Sequence, residues 1–151
     1  MKNTITKICK ILNISLPRFI NNKYLAFSYT PGVIYYKYLK KPDFYAAIFH
    51  ELRHHYQYLY IKNNDNSLAS LYELEFSFYD KLNYYKLNVE LDAYAFSFLM
   101  MKNFFNINYQ FKNIKEEVII NYINDNYDLY EDYIKIWINI FSQSNMDLEY
   151  F

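Results

Sequence analysis

"FYAAIFHELRHHYQYLYI", residues 44 to 61, contains neither glycine nor proline. A run of this length is too long for an ordinary strand and suits a helix of about five turns. Pro42 and Asp43 stand just ahead of it: proline is tolerated in a first helical turn, and Asp43 is expected to be the N-cap. The fold is thus organised around one long helix. That helix carries every histidine of the chain, His50, His54 and His55, with Glu51 among them.

Working outward, "KYLAFSYT" at 23–30 and "VIYYKYLK" at 33–40 are rich in β-branched and aromatic residues and flank Pro31-Gly32. This predicts a hairpin, with Gly32 taking the positive φ of a type II turn. Ile5, Ile8, Cys9 and Leu12 recur at helical spacing and predict a short opening helix over 4–12. Beyond a polar loop at 62–67, the stretch 68–82 reads as helical or irregular. Leu87, Leu91, Tyr94, Ala95 and Phe98 predict a second long helix over 84–101, and two more follow near 113–124 and 129–141. The expectation is a mostly helical α+β fold with a small hairpin or sheet before the histidine-bearing helix. Without repeats or glycine-rich linkers it is one domain over 1–151, with its core at about 20–102 and a helical C-terminal extension over 103–151.

Composition narrows the function. Hydrophobic residues form 53% of the chain and aromatics 23%, enough to build a packed core. Sixteen basic and sixteen acidic side chains cancel, removing the net attraction that drives nucleic-acid binding, so no nucleic-acid partner is expected. A single cysteine, Cys9, suits a reducing compartment. The opening "MKNTITKICKILNI" breaks its apolar run at Lys10 and Asn13 and does not read as an export signal. "AYAFSFLMM" at 93–101 is under half the ~20 residues that span a bilayer. A cytoplasmic protein without a membrane segment is expected.

On a helix, His50 and His54 lie one turn apart on the same face and can direct their imidazoles at one ion. Zinc accepts such nitrogens and lowers the pKa of a bound water to about 7. Glu51 projects beside the ion, where its carboxylate can take the water's proton and deliver it to a leaving amine. His50, Glu51 and His54 match the H-E-x-x-H pattern of zinc metallopeptidases. His55 points about 100° away from His54 and reads as a supporting or surface residue. Arg53 reads as solvated or ion-paired.

A third ligand has to be a carboxylate, and "NVELDAYAFSFLMM" offers Glu90 and Asp92. Glu90 shares a helix face with Ala93 and Ser97, small residues that permit close helix approach. Asp92 lies about 200° around the axis, so the two do not share an ion. Glu90 is the expected ligand, whereas Asp92 is expected to contribute at most a hydrogen bond or a helix contact.

"FHELRHHYQ" followed by "ELDAYAF" resembles the minimal gluzincins, in particular the ImmA/IrrE-like metallopeptidases of bacteria, phages and mobile elements. Glu90, Ala93 and Phe96 reproduce the second motif, and the similarity covers about 20–102. The resemblance implies a zincin-like α+β fold, Zn2+ held by His50, His54 and Glu90, Glu51 as catalytic base, and a protein or peptide substrate; some members of the family cleave transcriptional repressors. A peptide laid along an edge strand beside the active helix would favour the strand at 33–40 for that role, with Lys37 and Lys40 guarding the edge. The residues leave room for an inactive zincin-like binding module, a helical interaction protein with merely packed histidines, and a metal hydrolase acting on something other than peptides.

Overall fold

The structure, a computed structural model, describes residues 2–24, 26–77 and 84–143. Among these, six α-helices and a three-stranded sheet form an α+β fold in the order α1 (Lys2–Leu12), β1 (Arg18–Asn21), β2 (Ser28–Thr30), β3 (Val33–Tyr36), α2 (Lys41–Asn63), α3 (Ser67–Ser77), α4 (Asn88–Phe105), α5 (Glu116–Asp125) and α6 (Tyr127–Gln143). A 3-10 turn at Tyr84–Lys86 leads into α4.

α2 is the organising element. Residues 51 to 55 are five consecutive buried positions, so every face of the helix at that level is covered. α3 and α4 pack against it, and β2 and β3 of the sheet also contact it. Its buried apolar residues, including Phe49 and Leu52, join Ile5, Ile8 and Ile11 of α1 with Phe96 and Met100 of α4 in the main core. Each such side chain contributes about 1.5–3 kcal/mol on burial. A smaller core around Ala95, Phe98, Ile119 and Tyr130 joins α4 to α5 and α6. The same enclosure takes charged residues out of water, and those need partners.

The predicted helices are all present, with shifted ends. α2 starts at Lys41, its N-cap position is Lys40, and no side chain caps it. Asp43 therefore lies inside the first turn, where its carboxylate accepts a 2.6 Å hydrogen bond from the Tyr109 hydroxyl. The ambiguous stretch at 68–82 is helical to Ser77, and its remainder lies outside the described residues. With a single glycine in the chain, α1 and α4 end on asparagines in the left-handed region, Asn13 (φ 52°) and Asn106 (φ 53°).

The hairpin forms around Pro31-Gly32 with shorter strands than the runs at 23–30 and 33–40: β2 and β3 pair antiparallel only over Ser28–Thr30 and 33–35, Tyr29 opposite Ile34, and Gly32 has φ +78°. What the residues did not announce is β1, which pairs parallel with β3 and makes the strand order β1-β3-β2. Its four residues are too few to show alternation. The consequence corrects one expectation. β3 is the central strand, β2 is an edge, and Lys37 and Lys40 lie beyond the end of β3 rather than along an exposed edge.

Candidate metal centre

Three expected ligands come together. His50 Nε2 and His54 Nε2 lie 3.1 Å apart, and each meets one oxygen of Glu90, at 3.2 Å and 3.1 Å respectively. Two features of local sequence produce this. The four-residue spacing stacks the imidazoles on one side of α2, and small residues on α4 let Glu90 approach. Ala93 is fully buried, and the Ser97 hydroxyl donates a 2.7 Å hydrogen bond to the Ala46 carbonyl of α2. Glu75 is not part of the cluster: its carboxylate caps α4, accepting from Val89 N and Asn88 Nδ2, both at 2.8 Å.

The donor set suits a tetrahedral cation. With metal–ligand bonds of about 2.0–2.1 Å, ligand atoms of a tetrahedral zinc stand about 3.3 Å apart, close to the 3.1 Å between the two imidazole nitrogens, and the Glu90 carboxylate spans the pair with Oε2 beside His50 and Oε1 beside His54. Two imidazole nitrogens and a carboxylate aimed at one point also repel each other unless a cation, either a proton or a metal ion, lies among them. The proton form shows in the acidities. Burial drives His54 down, yet hydrogen bonding and charge from Glu90 outweigh it and push its pKa up to about 9. Burial alone would raise Glu90, but hydrogen bonds from His50 and His54 hold its carboxyl well below the usual range. His50, His54 and Glu90 form a group able to hold a metal ion.

Glu51 is buried and faces the space beside the cluster. Burial raises its carboxyl above the ordinary value, Glu90 adds to the rise, and the rings of His50 and His54 oppose it. Two cavities meet at this residue. One, of about 440 Å³, is bounded by Phe27, Tyr29, Tyr58, Phe76 and Leu87, and reaches His54 and Glu90. The other, of about 430 Å³, is bounded by Lys37, Tyr94, Tyr109 and Phe111, and reaches His50. Glu51, Phe27 and Tyr84 line both, so the two cavities adjoin beside the cluster as one cleft. Ser28 and Tyr29 of the edge strand β2 wall the first cavity.

The other residues singled out from sequence have different places. Asp92 points away from Glu90, as the helical angle requires, but its role is larger than a helix contact. Its carboxylate is fully buried and receives Arg53 Nε at 2.7 Å and Arg53 Nη2 at 3.0 Å. Tyr130 donates to the same carboxylate at 2.8 Å and Gln57 at 2.7 Å. Arg53 is correspondingly buried and not solvated, its guanidinium lying 4.2 Å from the centre of the Tyr56 ring. His55 is likewise not a surface residue. Its Nδ1 lies 3.0 Å from the Tyr29 hydroxyl and its Nε2 3.1 Å from the Ser15 carbonyl. The Ser15 carbonyl can only accept, so His55 donates from Nε2 and in the neutral ring its Nδ1 accepts from the Tyr29 hydroxyl, whose oxygen accepts in turn from the Gly32 N–H. The ring therefore ties the hairpin to α2 and does not face the cluster. Of the tyrosines near Glu90, Tyr94 sets its ring edge-on to His50 with centroids 4.5 Å apart, whereas Tyr85 lines neither cavity.

Sequence reasoning gave no role to Gln57 and underrated Arg53 and Asp92. A signal existed for Asp92, a carboxylate directly ahead of the apolar run "AYAFSFLMM", since burial of such a residue demands a partner; Arg53 and Gln57 stand in the polar stretch "HELRHHYQ", which carries no such signal. No helix among the described residues is long and apolar enough to cross a membrane. Comparison with family models, curated proteins and solved structures yields no match to this chain.

Proposed function

We propose that the chain is a zinc-dependent metallopeptidase of zincin-like architecture, with His50, His54 and Glu90 as ligands and Glu51 as general base. The observation that carries the reading is the convergence of these three donors beside a buried, raised-pKa carboxyl at the middle of a cleft. Zinc bound there would polarise a carbonyl and acidify a water.

The chain's own residues then have definite tasks. Glu51 accepts the proton of the attacking water on its carboxylate and passes it to the nitrogen of the departing amine. Its raised pKa suits the first of these steps, since a carboxylate held above its ordinary value is a stronger base and takes the water's proton more readily. A peptide is the substrate class we assign, because β2 offers an edge strand along one arm of the cleft and an extended backbone can hydrogen-bond to it. A cytoplasmic regulatory protein, such as a repressor, is the target suggested by the resemblance in "FHELRHHYQ" and "ELDAYAF".

Glu51→Gln tests the assignment. It retains the side chain's shape but cannot take the proton, so bound zinc should stay near one per chain while cleavage of an unfolded polypeptide falls by about 10²–10⁴-fold. Wild-type protein that holds zinc yet cleaves neither unfolded polypeptide nor a repressor substrate would instead define a binding module.

A further inference from the structure

Behind His54, on the side away from the cluster, stands Gln57, fully buried and one turn further along α2. Its Oε1 lies 2.8 Å from His54 Nδ1. Its Nε2 lies 2.9 Å from the Val89 carbonyl and 2.7 Å from Asp92 Oδ2. We propose that Gln57 is a positioning residue for the metal centre, holding His54 with its proton on Nδ1 and its lone pair on Nε2, and that the Asp92 network fixes which end of the amide meets the ring. The inference rests on the reading of His54 as a ligand.

The amide's direction follows from what surrounds it. A backbone carbonyl and a carboxylate can only accept, so the end of Gln57 that meets Val89 and Asp92 has to be the NH2 group. A flipped amide would set its oxygen against two other oxygens at hydrogen-bonding distance. With the NH2 committed, Oε1 faces the imidazole and can only accept. His54 Nδ1 therefore carries the hydrogen, and in the neutral ring the lone pair falls on Nε2, the atom that faces Glu90 and His50.

Asp92 is itself immobilised. Arg53 binds it through two nitrogens from α2, Tyr72 reaches it from α3 at 3.3 Å, and Tyr130 from α6 at 2.8 Å. Arg53 also donates to the Tyr133 hydroxyl at 2.8 Å. A continuous set of hydrogen bonds thus runs from α6 through Asp92 and Gln57 to the ligand. This gives the C-terminal helix a part in the metal centre that it does not touch. His50 has no equivalent support: its Nδ1 is buried without a hydrogen-bond partner among the described residues, and its ring rests on Tyr94. The two histidines are held by different means, and the loss of Gln57 should affect only one of them.

The test uses the full chain and zinc alone. Gln57→Met keeps the side chain's length and bulk while removing the amide. Zinc affinity, measured by competition with a chromogenic chelator, should fall about 10–100-fold, the usual effect of losing an outer partner of a ligand. In nitrogen-resolved NMR of zinc-loaded wild type, the His54 Nδ1–H should be present and protected from solvent exchange. In Gln57→Met that protection should disappear while the His50 ring signals persist, a selectivity that general loosening would not produce. Unchanged affinity and protection in a folded variant would overturn the inference, as would a wild-type His54 bonded to zinc through Nδ1. If the variant fails to fold, the wild-type spectrum decides by itself: an unprotected His54 Nδ1–H overturns the proposal. Wild type that binds no zinc would instead refute the metal centre, a distinguishable result.

Discussion

Replacing Asp92 with alanine removes the acceptor around which the interior of the protein is wired. Arg53, only 1% exposed, would keep its charge without a counter-ion, since a guanidinium does not give up its proton in a protein, and the charge and hydrogen bonds of Asp92 that now offset the cost of its burial would be gone. Breaking one side of a buried pair costs about 3–5 kcal/mol. Gln57, Tyr72 and Tyr130 would lose an acceptor as well, at about 1–3 kcal/mol for each donor left unsatisfied. These losses overlap, because water admitted to the gap serves several donors together. A total of about 4–5 kcal/mol follows, against a whole-domain stability of about 5–15 kcal/mol. With a urea m-value of about 2 kcal/mol/M, the unfolding midpoint should drop by about 2 M. Asp92→Asn keeps the shape and removes the charge, and should lose most of the same stability. A midpoint shift below about 0.5 M for the alanine variant, or an asparagine variant as stable as wild type, would refute the account of a buried charge that needs its partner. The pH dependence has a definite sign. Burial opposes ionisation of Asp92, but the charge and hydrogen bonds of Arg53 depress its pKa in the folded state. Its contribution is thus complete above the unfolded value of about 3.9 and is lost as pH falls through the lower folded value.

His50→Ala, His54→Ala and Glu90→Ala should each abolish stoichiometric zinc by metal analysis, because two remaining ligands make a weak site. His55→Ala should retain the metal while losing about 1–3 kcal/mol in denaturant unfolding, as the hairpin clasp to Tyr29 and Ser15 is broken. Because His54 in the metal-free cluster holds its proton up to about pH 9, zinc binding at pH 7 should release about one proton, and affinity should rise about tenfold per pH unit until that value; calorimetry in buffers of different ionisation enthalpy measures both. Ala93→Leu inserts bulk where Ala93 is fully buried between helices, so it should cost about 1–3 kcal/mol and weaken zinc binding by moving Glu90 away from α2.

Much of the centre was legible along single helices. The four-residue step from His50 to His54 puts both rings on one face, and the two-residue step from Glu90 to Asp92 sends the carboxylates in different directions. Helical periodicity alone fixes these relations, and the structure brings His50, His54 and Glu90 together while leaving Asp92 apart. Periodicity describes directions about one axis and does not say which element stands opposite. Arg53 meets Asp92 across 39 positions of sequence, and His55 meets Tyr29 across 26. Only packing of α2 on every side decides that Arg53 and His55 are buried and must be satisfied within the protein. The same limit hid β1: strand order arises from pairing between segments, so the parallel partner that moves β3 to the centre and leaves β2 at the edge beside the cleft was set by tertiary structure. The orientation of Gln57 belongs with these features, since a lone amide has two equivalent directions until Val89 and Asp92 from another helix select one.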